Sequence, residues 1–308
     1  MRILVTGSSG FVGRYLVEEL RAHGHEPIGW DATPSTPPLG VPEYEGDITD
    51  AKALRADLAA TQPEACIHLA GIAFVPMGWS DPERVMRVNV NGTLNLLEAV
   101  RHACPDARVL VVTSAEVYGR DPRRDPVKES DALLPSSLYG VSKVAADRAT
   151  LLYHRQYGMH TMTARPQNHI GPGQSRLFVV SSFAKQLIAL KQKGGAGAVR
   201  VGNLDSCRDF TDVRDVVRAY RLLIEEGHSG EAYNIATGHA VPIRDMLDRL
   251  CAHAGMQPDI EIDPDLYRPT DQPVPMNTEK IAAHTAWAPI IPLQQTLKDI
   301  YEDLAAHP

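Results

Sequence analysis

Tyr139-Gly140-Val141-Ser142-Lys143 places a phenol and an ammonium group four residues apart. On a helix that spacing is about one turn, so the two side chains share a face. A cation beside a phenol lowers its pKa, which lets Tyr139 trade a proton with a substrate oxygen near neutral pH. Lys143 is also suited to holding the ribose of a nicotinamide cofactor. Upstream, Thr113-Ser114-Ala115-Glu116-Val117-Tyr118-Gly119 follows the apolar run Arg108–Thr113. If that run is a strand of a parallel sheet, Ser114 emerges at the carboxyl edge, where such sheets bind ligands. Its hydroxyl there can align a carbonyl. Glu116, two residues further on, is the fourth catalytic candidate after Ser114, Tyr139 and Lys143.

The hydride carrier has a site of its own. Gly7-Ser8-Ser9-Gly10-Phe11-Val12-Gly13 lies between the first strand and the first helix. A tight turn, close backbone approach and a helix N-terminus together suit a pyrophosphate. Gly7, Gly10, Phe11, Val12 and Gly13 are therefore cofactor candidates. Asp31 ends the second strand, where a carboxylate accepts from adenosine ribose hydroxyls and repels a 2′-phosphate. No Arg or Lys occurs between residues 22 and 51, so NAD(H) is favoured over NADP(H). Asp47 and Ile48 suit the adenine edge, and Leu69, Ala70 and Gly71 offer small residues where the cofactor backbone must pass.

These residues need a frame that brings strand ends together. Apolar runs at Arg2–Thr6, Glu26–Asp31, Ala65–Leu69, Arg108–Thr113 and His160–Arg165 alternate with amphipathic stretches at Phe11–Arg21, Ala51–Ala59, Pro82–His102 and Ser137–Tyr157. Strand–helix alternation with near-continuous apolar strands predicts an α/β fold, a Rossmann-type doubly wound parallel sheet covered on both faces. After residue 166 the rhythm changes at Gly171-Pro172-Gly173, and helices at Val179–Leu190 and Asp212–Glu226 precede a strand at Ala232–Ile235. The expected division is a dinucleotide domain of residues 1–166 with returning segments at about 210–236, and a smaller C-terminal substrate-binding lobe of 167–209 and 237–308.

Composition narrows the partners. The 308 residues carry 31 basic and 38 acidic side chains, a formal charge of -7, which gives no global pull toward nucleic acid or an anionic membrane. Cys66, Cys104, Cys207 and Cys251 are scattered without a CxxC pair, as expected of a reduced, cytoplasmic chain with neither a disulfide framework nor a zinc site. The chain opens directly on a buried strand, with no secretory signal expected. No apolar run approaches the ~18 residues of a membrane span.

The GxxGxxG loop, the Ser114 segment ending in Tyr118-Gly119 and the YxxxK pair resemble the extended branch of the short-chain dehydrogenase/reductase family over nearly the whole chain. That resemblance implies a Rossmann fold, a nucleotide-sugar substrate and a homodimer pairing the helices at 82–102 and 137–157. Three further segments are similar to those of the GDP-4-dehydro-6-deoxy-D-mannose reductases: Arg165-Pro166-Gln167-Asn168-His169-Ile170-Gly171-Pro172-Gly173-Gln174, the run Val201–Asp215, and Arg268-Pro269-Thr270-Asp271. The implied activity is reduction of the C4 ketone of GDP-4-dehydro-6-deoxy-D-mannose by NAD(P)H, giving GDP-D-rhamnose or its C4 epimer. Arg208 and Arg268 suit a diphosphate through forked, charge-assisted bonds. Asn168, Lys185, Asn203 and Asp271 complete the substrate candidates, and His169 is assigned to the cofactor. Gln167 stands where those reductases carry Phe, a position expected beside nicotinamide and sugar. A C4 epimerase or a 4,6-dehydratase would use the same Ser114, Tyr139 and Lys143. A non-catalytic dinucleotide sensor would have no need of them.

Overall fold

The protein's structure, a computed structural model, describes residues 1–120, 126–267 and 272–307. The first half runs β1 (Arg2–Thr6), α1 (Phe11–Ala22), β2 (Glu26–Asp31), β3 (Glu43–Glu45), α2 (Ala51–Thr61), β4 (Ala65–His68), α3 (Met77–Ser80), α4 (Pro82–Met86), α5 (Gly92–Ala103), β5 (Arg108–Val112), α6 (Leu138–Tyr157) and β6 (Thr161–Pro166). The second half runs β7 (Asn168–Ile170), α7 (Val179–Gln192), β8 (Ala198–Val201), β9 (Cys207–Asp212), α8 (Val213–Glu226), β10 (Ala232–Ile235), β11 (Ala240–Pro242), α9 (Ile243–Ala254), β12 (Asp259–Ile262), α10 (Glu279–Thr285) and α11 (Leu293–Ala306).

Seven strands form one sheet in the order β10-β6-β5-β4-β1-β2-β3, and every pairing in it is parallel. Ile3, Leu4 and Val5 at its centre are wholly buried, because helices cover both faces. One face packs under α1 and α8, with Leu16, Val17, Leu20, Val216, Tyr220 and Leu223. The other packs under α2 and α5, with Leu54, Leu58, Leu96 and Val100. In α8 the buried residues Val213, Val216, Val217, Tyr220, Leu223 and Ile224 recur at helical spacing, each worth roughly 1.5–3 kcal/mol of apolar burial. Strand order reverses between β1 and β4, which opens a crevice at their carboxyl ends. The loops leaving these two strands carry the glycine-rich segment and Leu69-Ala70-Gly71.

A second core gathers Val180, Phe183, Leu187, Val199, Leu247 and Ile300 from α7, β8, α9 and α11. Two small sheets, β11-β9-β7 and β12-β8, belong to this side. The expected assignment of all of 237–308 to this lobe is corrected: Ile281 and Trp287 pack into the core beneath α8. Trp287 also donates to the Asp215 carbonyl at 2.9 Å.

The single helix expected over Pro82–His102 is interrupted. Between α4 and α5 the chain makes a π-turn over Arg87–Asn91, and widened turns of this kind recur at functional sites. Among the described residues no helix is long and apolar enough to cross a membrane, and no group of three or more His, Cys, Asp or Glu side chains is placed to hold a metal.

Candidate active site

Local capping aims the phenol. Ser137 is extended at the start of α6 and accepts from Gly140 N at 3.0 Å, which fixes the first turn that carries Tyr139. The short helical turn Ala115–Tyr118 begins at Ser114, whose hydroxyl accepts from Glu116 N at 3.2 Å. That turn rests on α6 because residue 140 is glycine. A Cβ there would lie 2.8 Å from the Glu116 carbonyl oxygen.

The Ser114 hydroxyl acts on the Tyr139 phenol and favours its ionised form. Burial pushes the Tyr139 phenol up to about 12, outweighing the lowering by Ser114, and the Glu116 charge adds to the rise. The expected lowering by Lys143 is therefore corrected. The ammonium lies 6.0 Å from the centre of the tyrosine ring and donates to the Val112 carbonyl at 3.1 Å. Burial pushes Lys143 itself down to about 8. At neutral pH the phenol is a proton donor and the lysine keeps its charge.

The glycine-rich loop supplies the floor of a crevice of about 790 Å³ lined by Gly7, Gly10, Asp31, Asp47, Ile48, Leu69, Ala70 and Gly71. Gly7 has φ +77°, and a Cβ there would sit 2.7 Å from Ala70 N. Only glycine lets the two loops close to this distance. Gly10 stands at the N-terminus of α1, whose first turn contains Phe11, Val12 and Gly13. Asp31 accepts from Ser9 N at 3.0 Å and Thr33 N at 3.3 Å, fastening the loop to β2. Asp47 accepts from the backbone and hydroxyl of Thr49, bonds that hold its carboxyl below the usual range. The donor set fits a dinucleotide: backbone amides at a helix start, a carboxylate for ribose and a narrow glycine-floored passage.

A smaller recess beside Asp31 is lined by Ser9, Thr33, Glu43 and Glu45. Neither glutamate stood out in the sequence, since β3 is three exposed residues without periodicity. Asn89 was equally hidden, as one polar residue inside an apparent helix. Its buried amide accepts from Ile72 N at 2.8 Å and donates to Ile72 O at 3.1 Å and Ser142 Oγ at 3.0 Å. It thereby ties the loop after β4 to the helix of Tyr139 and Lys143.

The substrate candidates are dispersed along the second lobe. Arg208 lies on β9 and donates to its neighbour Cys207 O at 2.6 Å, with burial pushing its guanidinium pKa down. Asn203 accepts from Asp205 N at 2.9 Å and shapes the bend after β8. Asn168 is exposed on β7, and Lys185 is exposed on α7. Arg268 and Asp271 lie outside the described residues. His169 stacks on Phe11 with ring centres 6.4 Å apart, which brings it to the start of α1. Gln167 is buried and its side chain donates to Val274 O at 3.1 Å. It secures the 272–276 segment.

Comparison with known proteins places this geometry. The model of the family described as GDP-mannose 4,6 dehydratase matches residues 4–300. GDP-6-deoxy-D-mannose reductase of Pseudomonas aeruginosa is 37% identical over 304 residues, 98% of this chain and 96% of that protein. UDP-glucose 4-epimerase of Mycolicibacterium smegmatis is 31% identical over 276 residues, 86% of each chain. Among solved structures, RMD from Pseudomonas aeruginosa complexed with NADPH superposes with a TM-score of 0.89 at 34% identity, covering 100% of this chain and 99% of that one. The Thermus thermophilus UDP-glucose 4-epimerase complex with NAD gives 0.87 at 28% identity, covering 98% of both.

Proposed function

The chain belongs to the GDP-mannose 4,6 dehydratase family of extended short-chain dehydrogenases/reductases, and from that premise we propose that it reduces the C4 ketone of GDP-4-dehydro-6-deoxy-D-mannose. The observation that carries the chemistry is the buried Tyr139 phenol, on the turn of α6 against which the Ser114 segment packs and one helical turn from Lys143. The sugar is supported by the end-to-end likeness to the Pseudomonas reductase. A bound reduced nicotinamide supplies the hydride. Ser114 orients the ketone oxygen, and Tyr139 gives it a proton as negative charge develops. That transfer runs downhill because an alkoxide is a stronger base than even a raised phenolate. Lys143 holds a ribose hydroxyl and places positive charge beside the phenolate that remains.

The test supplies purified protein with that ketone and NADH or NADPH and identifies the sugar by NMR. We expect cofactor oxidation and GDP-D-rhamnose, or the C4 epimer if the opposite face is attacked. No oxidation of either cofactor overturns the reading. Formation of a keto sugar from GDP-mannose moves the assignment to a dehydratase.

Within this reading the cofactor is NADH. Asp31, Glu43 and Glu45 put three carboxylates around the recess beside the adenosine ribose site. A 2′-phosphate about 5 Å from one such charge would be repelled by about 3 kcal/mol at an effective dielectric of ~20. Asp31→Ala should raise kcat/KM for NADPH by about tenfold or more relative to NADH, less than the full charge term because Glu43 and Glu45 remain. A wild-type enzyme that already prefers NADPH, the cofactor held by the Pseudomonas structure, overturns this assignment.

The same reading makes the protein a homodimer through the helices at 82–102 and 137–157. Its support is the apolar surface they leave outside: Met86, Val141, Leu152 and Tyr157 are 38–54% exposed.

A further inference from the structure

Glu116 poses a problem for an enzyme that should only reduce. A 4-keto sugar has weakened C–H bonds on both carbons flanking the ketone. A carboxylate beside a tyrosine acid is the equipment for enolising it. In that step Glu116 would take the proton from the flanking carbon, the C–H electron pair would form the double bond to C4, and the C4–O π pair would pass to the oxygen, which Tyr139 would protonate. Return of a different proton would scramble the stereocentre with no net redox. The Glu116 turn packs on α6 at Gly140, next to Tyr139, and the Glu116 charge raises the Tyr139 phenol.

The structure also shows a restraint. Arg120, one turn further on, donates through Nη2 to Glu116 Oε1 at 3.1 Å. The two side chains are 33% and 24% exposed, so the pair is partly shielded from water. Arg208 feels the Glu116 charge from the other lobe and the Arg120 charge as well. The second carboxylate oxygen, Oε2, is buried with no hydrogen-bond partner among the described residues. A buried acceptor without a donor is costly and fits a site that a ligand hydroxyl completes. A carboxylate that gave up its charge to a substrate proton would lose the ion pair with Arg120 and keep only a weaker bond.

We propose that Arg120 is a positioning residue that holds Glu116 as an anionic acceptor for a sugar hydroxyl and keeps it from acting as a base on the carbons flanking the ketone. The inference rests on the reductase reading and names what separates reduction from enolisation within one shared site. Arg120 touches no reacting atom; it acts through Glu116.

The experiment incubates the enzyme with GDP-4-dehydro-6-deoxy-D-mannose and oxidised cofactor in deuterium oxide, so that no hydride is available, and follows loss of the H3 and H5 signals by NMR. Wild type should exchange at the enzyme-free rate. Arg120→Gln and Arg120→Met should exchange at least about tenfold faster, a fraction of what a freed general base contributes. Arg120→Lys should stay near wild type, and adding Glu116→Gln to Arg120→Gln should return exchange to background. A damaged fold can only lose reactivity, so a gain that the second substitution cancels separates this role from a structural one. Exchange unchanged in both neutral variants overturns the proposal. Wild type exchanging at a rate comparable to its turnover overturns it too, whether or not any variant folds. Parallel assays with NADH keep the two readings apart. A wild type that oxidises NADH without exchange gained in the neutral variants sinks the Arg120 role alone. A wild type that does not oxidise it sinks the reductase reading.

Discussion

Tyr139→Phe should lower kcat by about 10²–10⁴-fold, the usual contribution of a positioned general acid, while leaving GDP binding intact. The phenyl ring keeps the packing of a residue only 6% exposed, and what disappears is the phenolic hydroxyl beside the Ser114 turn. Steady-state cofactor oxidation, paired with GDP titration calorimetry, reads the two quantities separately. A kcat within about tenfold of wild type would remove Tyr139 from the acid role. The neighbouring lysine adds a pH signature. Burial holds Lys143 at about 8 instead of the ordinary 10.5, so its charge disappears as pH rises through about 8. Activity that needs the ammonium is flat below that value and falls above it, and Lys143→Arg should remove the limb. The stability sign is opposite. Burying the charged lysine costs stability in full below pH 8, and the cost fades between about 8 and 10.5 as the unfolded chain comes to bind more protons than the folded one.

Arg165→Met should destabilise the protein by about 3–5 kcal/mol and lower Tm by roughly 10 °C. Arg165 and Asp147 are both fully buried and joined twice, through Nε and Nη2, at 2.8 Å. The other guanidinium nitrogen donates to the Tyr118 hydroxyl at 2.7 Å and Glu129 O at 3.0 Å. Tyr118 in turn donates to Asn234 at 2.8 Å. The substitution leaves the Asp147 carboxylate buried, with the Thr163 hydroxyl at 3.0 Å still donating to it. Calorimetric melting of Arg165→Met against Arg165→Met/Asp147→Asn checks the cause, because neutralising the stranded carboxylate should recover part of the loss. A single variant melting within about 2 °C of wild type would contradict a buried-charge penalty of this size. Activity should fall as well. Tyr118 closes the turn that begins at Ser114, and Asp147 sits one turn beyond Lys143 on α6, so the network braces both halves of the catalytic pair.

The sequence carried the parts of this protein that local physics dictates. Buried parallel strands must be apolar along their length, so β1, β2, β5 and β6 were readable to within a residue or two. Gly7 and the α1 start were readable because close backbone approach admits few residue types. Tyr139 and Lys143 were readable because helical spacing alone puts them on one face. What depends on contacts between distant segments was not. Asn89 looked like any polar residue in a helix until the π-turn swung it against Ile72 and Ser142. Gln167 belonged to a motif that suggested a ligand contact, and only packing showed its amide spent on Val274 O. Trp287 fell in the stretch given to the substrate lobe, yet its indole closes the core under α8. Proximity of phenol and ammonium was legible in the spacing, but the electrostatics were not. Burial depends on everything packed around a group, and here it raised the phenol and lowered the lysine, reversing the shift that spacing predicted for Tyr139. Residue types and intervals determined which groups could do the chemistry. Tertiary structure decided their charge, their partners and, through Arg120 on Glu116, the reaction that a shared set of groups is held to.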